Sequence, residues 1–242
     1  MTKMKFCGMT RASDAALARE LGASHIGVIF AESPRRVTIE QAAELFADAT
    51  GVRRVGVFGH AGSTPEEIIR HGRDLRLDVL QLHGSFTTSD IVRLRDDFDG
   101  ELWPVIPVDQ TATQLPPGWE ILADVSDALL LDTSIRGKSG GTGKTFDWTA
   151  AADAVRKASA QIPVVLAGGL TARNVAKAIA TLHPAIVDVS SGIEISPGIK
   201  DPDLMRAFAD AVVSASIVGV EQPPARPAGS NEPPQSTNRT IE

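Results

Sequence analysis

The chain's 242 residues suit one barrel-sized domain of roughly 250 residues or two small domains, and 43% hydrophobic against 22% charged residues is an ordinary globular balance. A net charge of −6 argues against a nucleic-acid partner, which needs a basic face, and leaves any anionic ligand to local groups. Cys7 is the only cysteine, which excludes an internal disulfide, and no apolar run approaches the ~18 residues of a membrane span. Met1 to Lys5 lead into a strand-like segment without a signal peptide's apolar stretch, so a cytoplasmic protein with no membrane partner is expected.

In chain order, eight short apolar and β-branched runs stand out: Lys3–Cys7, His25–Phe30, Arg53–Phe58, Val79–Leu82, Leu102–Val108, Ala128–Asp132, Pro163–Ala167 and Ile186–Val189. Their spacing is about one strand–loop–helix unit, and continuous apolar strands imply burial on both faces, as in a parallel sheet. Helices fill most gaps. Asp14–Leu21 carries apolar residues and stops at Gly22, Thr38 with Gln41 forms a capping box ahead of Ala42–Ala47, and Pro65, Glu66 and Glu67 suit a first helical turn. The fifth unit is the weakest, since Pro116, Pro117 and Gly118 leave only a short helix at Trp119–Val125. Thr171, Ala172, Arg173 and Asn174 open another helix, and Asp201-Pro202 begins the last.

Eight strands alternating with helices leave a closed barrel or a doubly wound sheet. A doubly wound fold usually announces a glycine-rich turn after its first strand, where this chain has Cys7-Gly8-Met9-Thr10. The glycine-rich turns come late, which favours a barrel whose phosphate site follows strands 7 and 8. The expectation is an α/β fold, a single (β/α)8 TIM barrel over residues 1–215. Residues 216–242 read as a disordered Pro-rich tail, because five prolines from Glu221 onward sit among polar residues that cannot bury enough apolar surface to offset chain entropy.

In such a barrel, reactive groups stand at the C-terminal strand ends and on the loops beyond them. Those positions hold Cys7, Arg35, Gln81, His83, Asp132, Gly168, Gly169, Asp188, Ser190, Ser191 and Gly192, few of which make good core residues. Val165–Thr171 and Val189–Gly192 look like two halves of a phosphate cradle, since glycines let backbone amides approach an anion. Gly-Gly alone is often merely a turn; two such loops in successive units are more specific. Cys7 and Asp132 form a candidate acid–base pair: a thiolate can take a carbon-bound proton, and a carboxyl can give one if kept protonated. A buried apolar cysteine is the commoner fate of that residue type, whereas a carboxylate closing the run Leu129-Leu130-Leu131 is costly without a partner or a task. Gly137–Lys144 does not fit a nucleotide P-loop, since Lys138 stands where the first glycine is required, and it reads as a mobile lid. His60 and His83 lack the carboxylate–histidine cluster of a metal site, so no metal is expected.

Together, Lys5-Phe6-Cys7-Gly8-Met9-Thr10, Ser33-Pro34-Arg35, Gln81-Leu82-His83-Gly84, Leu131-Asp132-Thr133, the run from Gly140 to Trp148 and Asp188-Val189-Ser190-Ser191-Gly192 resemble the phosphoribosylanthranilate isomerase family. The likeness runs in order from about residue 3 to about residue 212. Each motif alone is weak, and the ordered set is specific. The resemblance implies an Amadori rearrangement in tryptophan biosynthesis, in which N-(5-phosphoribosyl)anthranilate becomes 1-(2-carboxyphenylamino)-1-deoxyribulose 5-phosphate. It implies Asp132 as the acid that opens the furanose ring, Cys7 as the base that removes the C2′ proton, and Arg35 as the partner of the anthranilate carboxylate. The iminium formed on ring opening is the electron sink, so the resemblance implies no metal or organic cofactor. The expected partner is a small sugar phosphate, bound by a monomer or homodimer.

Two stretches depart from the family pattern. Phe58-Gly59-His60 ends the third strand signal, and Pro107 interrupts the fifth; both put local loop shape in question, not the acid–base pair. The nearest rival is a related phosphate-binding isomerase of histidine biosynthesis, which uses an aspartate where this chain has Cys7. A catalytically silent phosphate-binding barrel is the alternative of a different class.

Overall fold

The computed structural model describes residues 1–135, 138–139 and 145–218. Among them, eight parallel strands alternate with eight helices. The strands are β1 (Lys3–Phe6), β2 (His25–Ile29), β3 (Arg53–Gly59), β4 (Val79–His83), β5 (Glu101–Asp109), β6 (Leu129–Ile135), β7 (Val164–Leu166) and β8 (Ile186–Val189). The helices are α1 (Ala12–Glu20), α2 (Ile39–Phe46), α3 (Pro65–Asp74), α4 (Thr88–Asp97), α5 (Trp119–Val125), α6 (Trp148–Ser159), α7 (Val175–Leu182) and α8 (Pro202–Val218). Each strand pairs with its neighbours in sequence, and β8 returns to β1 with Lys5 opposite Asp188, which closes the barrel. No helix among the described residues is long and apolar enough to cross a membrane.

Because side chains alternate along a strand, the apolar runs feed two cores. Outward residues such as Phe6, Val28, Leu82, Leu131 and Val189 pack under the helices. Inward residues, among them Val55, Val79, Trp103, Val105, Leu130, Val165 and Ile186, fill the barrel itself. The His25 and Trp103 rings lie 5.0 Å apart within that filling. Toward the C-terminal strand ends the inward layer turns polar, with Lys5, Gln81, Asp132 and Asp188 all buried. The site rests on that change.

Helix starts follow local chemistry. Thr38 with Gln41, Thr64 with Glu67 and Thr87 with Asp90 each exchange hydrogen bonds as capping boxes at α2, α3 and α4. The last has aspartate in place of the usual glutamate or glutamine, which is why α4 carries no clear signal in the sequence. Pro107 does not break β5. That strand pairs with β4 only up to Leu82 opposite Pro104 and with β6 from Val105 onward, so Pro107 lies beyond its paired stretch with β4.

Most element boundaries differ from the sequence reading by a few residues, and three of the differences bear on the site or the domain limit. Cys7 lies one residue past β1. The stretch Thr171–Asn174 is a turn and not a first helical turn: Asn174 Oδ1 accepts the Thr171 N–H at 2.8 Å while its Nδ2 donates to the Gly169 carbonyl at 2.9 Å, and α7 starts only after it. Helix α8 runs through Val218, past the expected barrel boundary at residue 215. The rest of the expected tail, and most of the expected Gly137–Lys144 lid, lie outside the described residues; Lys138–Ser139 is a short strand antiparallel to the end of β6.

Helix α8 matters because it packs the last unit back onto the first strand, with Phe208 meeting the Phe6 ring edge-on at 6.0 Å, both fully buried. Phe208→Ala should therefore destabilise the chain by ~3–5 kcal/mol, the usual scale for emptying an aromatic site. Urea unfolding should show this as a lower midpoint at unchanged slope; a midpoint close to wild type would mean that α8 is not part of the cooperative unit.

Candidate active site

The sequence-predicted site residues Cys7, Arg35, Gln81, His83, Asp132, Gly168, Gly169, Asp188, Ser190, Ser191 and Gly192 all line one cavity of about 460 Å³ at the C-terminal mouth of the barrel. They reach it from six of the strands or the loops that follow them. Four of them carry a buried oxygen with no hydrogen-bond partner among the described residues: Gln81 Oε1, Asp132 Oδ1, Asp188 Oδ1 and Ser190 Oγ. Buried polar groups of this kind are normally satisfied, so four in one cavity mark a place built for a ligand rich in hydroxyl donors.

On the cavity floor, Asp132 stands only 7% exposed in the middle of β6, after the apolar Leu129-Leu130-Leu131 and not at the strand's end as the sequence suggests. Burial, and next the charge of Asp188, push its carboxyl up to about 7, against the opposing pull of the Thr133 backbone N–H and the Lys5 ammonium. Near neutral pH a large fraction is therefore protonated, which is the state that a general acid requires. Cys7, 5% exposed, faces the same space. Burial raises its thiol above the ordinary range, Lys5 opposes that rise, and Asp188 adds to it. Burial likewise acts to lower Lys5, but the Asp188 charge and then Cys7 outweigh it and leave the ammonium above its usual value. Burial alone lowers His83, which favours a neutral imidazole.

Arg35 lines the cavity mouth, and its guanidinium already has a partner. Nε and Nη2 donate to the two carboxylate oxygens of Glu194 at 2.8 and 2.7 Å. Glu194 also accepts from Lys200 Nζ at 2.8 Å, and Lys200 donates to the Ser190 carbonyl at 3.1 Å. Glu194 and Lys200 sit on a two-strand hairpin, Glu194–Ser196 with Ile199–Lys200, that leaves the β8 loop. The Nε–Nη2 edge of Arg35 is thus taken up by Glu194, which leaves three of the five guanidinium N–H donors outside that ion pair.

The two glycine loops meet in space. A Cβ on Gly192 would fall 1.9 Å from the Leu170 carbonyl oxygen, so the β8 loop presses directly on the β7 loop and only glycine fits. At Gly168 a Cβ would come within 2.6 Å of Asp132 Oδ1, which puts the acid beside the same loops. The sequence reading missed Lys5, Glu194, Lys200 and Asn174 as builders of the site. Lys5 had a signal, a cation inside an apolar strand run. Glu194 and Lys200 had none, since the partner Arg35 lies 159 residues from Glu194.

The raised carboxyl makes stability depend on pH. Asp132 titrates higher in the fold than in the unfolded chain, so its contribution is complete below an ordinary value of 3.8 and is lost as pH rises through about 7. Asp132→Asn cannot lose it. The variant should gain stability relative to wild type between pH 4 and 8, by up to about 4 kcal/mol, as measured by urea unfolding across that range. A difference that stayed constant with pH would place the carboxyl in its ordinary range.

Comparison with known proteins follows the same lines. A sequence model of the family described as "N-(5'phosphoribosyl)anthranilate (PRA) isomerase" matches residues 4–211. The N-(5'-phosphoribosyl)anthranilate isomerase of Haloferax volcanii is 41% identical over 222 residues, covering 89% of this chain and 95% of its own. That of Pseudomonas paraeruginosa is 42% identical over 219 residues, covering 88% and 95%. Among solved structures, the Thermotoga maritima phosphoribosyl anthranilate isomerase superposes with a TM-score of 0.76 at 31% identity, covering 88% of this chain and 100% of its own. A phosphoribosyl anthranilate isomerase in complex with reduced 1-(o-carboxyphenylamino)-1-deoxyribulose 5-phosphate superposes with a TM-score of 0.73 at 28% identity, with coverage of 88% and 100%. By sequence over nearly the whole barrel, and by fold, this chain belongs to the N-(5'-phosphoribosyl)anthranilate isomerase family.

Proposed function

We propose that the chain isomerises N-(5-phosphoribosyl)anthranilate to 1-(2-carboxyphenylamino)-1-deoxyribulose 5-phosphate, with Asp132 as general acid and Cys7 as general base. The observation that carries this reading is a carboxyl held at about 7 in the same closed floor as the chain's only thiol. In the first step Asp132 gives its proton to the furanose oxygen. The C1′–O bond breaks, and the nitrogen lone pair forms the C1′ iminium. Cys7, as thiolate, then takes the C2′ proton, and the C–H electrons move toward nitrogen to give an enolamine. Loss of the enol proton and protonation at C1′ yield the ketone. The iminium formed on ring opening accepts the C2′–H electron pair, so this chemistry asks for no metal or organic cofactor.

The remaining residues bind. The loops carrying Gly168, Gly169, Ser190, Ser191 and Gly192 take the phosphate, as two amide-lined loops beyond successive strands are suited to do. Asp188 and Gln81 accept from the sugar hydroxyls with the oxygens that lack partners among the described residues, and His83 lines the same cavity. Arg35 reads the anthranilate carboxylate with the donors that Glu194 leaves free. Its geometry is fixed before the ligand arrives, which spares the ordering cost of a long side chain.

Purified protein given phosphoribosylanthranilate should consume it, followed as loss of substrate fluorescence. Cys7→Ala and Asp132→Asn should each lower kcat by at least ~10², the usual scale for losing general acid–base catalysis, while far-ultraviolet circular dichroism stays that of wild type. Turnover near wild type in either folded variant would remove that residue from the mechanism; no consumption by the wild-type chain would remove the function.

A further inference from the structure

The acid–base scheme leaves one demand unmet, since Cys7 must carry a negative charge in a place that burial makes hostile to it. We propose that Lys5 is a positioning residue for the reaction: its ammonium, sealed under the cavity floor against Asp188, is the fixed positive charge that lets Cys7 become a thiolate. This rests on the reading of Cys7 as the base.

The geometry is specific. Lys5 and Cys7 lie two residues apart at the end of β1, so both side chains point into the barrel. Lys5 is 0% exposed, and its Nζ lies 2.8 Å from Asp188 Oδ2. The adjoining strand offers Gly27 at this level, and that gap is filled from β1. A Cβ on Gly27 would fall 2.9 Å from Cys7 Sγ and 3.2 Å from Lys5 Nζ, so thiol and ammonium share the hole that the missing side chain leaves. A buried ion pair is poor evidence of a stabilising role, since apolar residues of similar volume often serve the fold as well or better. A lysine with no exposure at all, its head beside the one thiol, is better explained by what its charge does.

The other charged groups that face Cys7 are accounted for. They are Asp188 from β8, Lys200 from the hairpin, Arg35 from the loop after β2 and Asp132 from β6. Lys200 and Arg35 are both engaged by Glu194. Of the charges acting on the thiol, Lys5 is the strongest, ahead of Asp188. Lys5 also favours the ionised form of Asp132, so the same ammonium stabilises the carboxylate left when the acid has given up its proton.

Cys7 is the only cysteine in the chain, which makes the test clean, because alkylation by a small haloacetamide reports on it alone. Rates are measured against pH in the substrate-free protein, with thiolate ultraviolet absorbance as a second readout. Lys5→Met paired with Asp188→Asn removes both charges and leaves no buried ion unpaired. In that double variant the alkylation rate at pH 8 should fall by about tenfold, as a one-unit rise in the thiol's midpoint requires, while the high-pH plateau stays that of wild type. Asp188→Asn alone should move the midpoint the opposite way and raise the rate at pH 8. If loosening of the pocket were the only effect, water would enter and both proteins would shift toward the ordinary thiol value together. A double variant that titrates at or below wild type overturns the proposal. Should the double variant not fold, an Asp188→Asn midpoint equal to or above wild type overturns it as well. Catalysis is read separately: kcat should fall more than KM rises in the double variant, and its low-pH limb should move upward. Because the thiol titration uses no substrate, it stands or falls independently of which sugar phosphate the enzyme turns over.

Discussion

A lysine ammonium and an aspartate carboxylate meet at 2.8 Å where the barrel closes, Lys5 on β1 opposite Asp188 on β8, and water does not reach the ammonium. Charges so placed act on their neighbours over a low effective dielectric, where an interaction that water would erase moves proton affinities. The negative end faces Asp132 and raises it; the positive end faces Cys7 and restrains the rise that burial imposes. One ion pair thus biases one carboxyl and one thiol in opposite senses. Below that level the barrel interior holds Val, Leu, Ile and Trp together with the His25 ring, which burial lowers to about 3 and so keeps neutral.

The upper rim is organised by a second ionic cluster. Glu194 binds Arg35 on one side and Lys200 on the other, and Lys200 holds the Ser190 carbonyl. The residue proposed to read the carboxylate and the loop proposed to hold the phosphate are therefore tied through a single glutamate. On that proposal both ends of the ligand would meet one ion-paired assembly that includes the hairpin. That is the arrangement expected where reacting atoms must be placed within a fraction of an ångström.

Much of the fold was legible in the sequence because its signals are local. Apolar runs such as Leu129-Leu130-Leu131 announce strands buried on both faces, and Thr38 and Thr64 announce helix starts through side chains three residues away. Where the reading slipped, a side chain had done something that the pattern does not encode. Asn174 took the backbone groups of Thr171 and Gly169 and delayed α7, and Asp90 did a glutamate's work at α4. The site was legible by position, since strand ends of a barrel point at one mouth, and those residues do line one cavity. Its electrostatics were not. Lys5 with Asp188 and Arg35 with Glu194 are pairs separated by 183 and 159 residues, and only closure of the barrel brings them together.

The proposed reaction turns on a carboxyl group that keeps its proton in about half of the molecules at pH 7 because it is buried beside another carboxylate. Infrared difference spectroscopy can titrate the Asp132 carboxyl directly, with the band absent from Asp132→Asn used to assign it. The account predicts a midpoint near 7 in the substrate-free protein. A midpoint near the ordinary value of 3.8 would contradict it, because Asp132 would then be an ionised group at neutral pH with no proton to give.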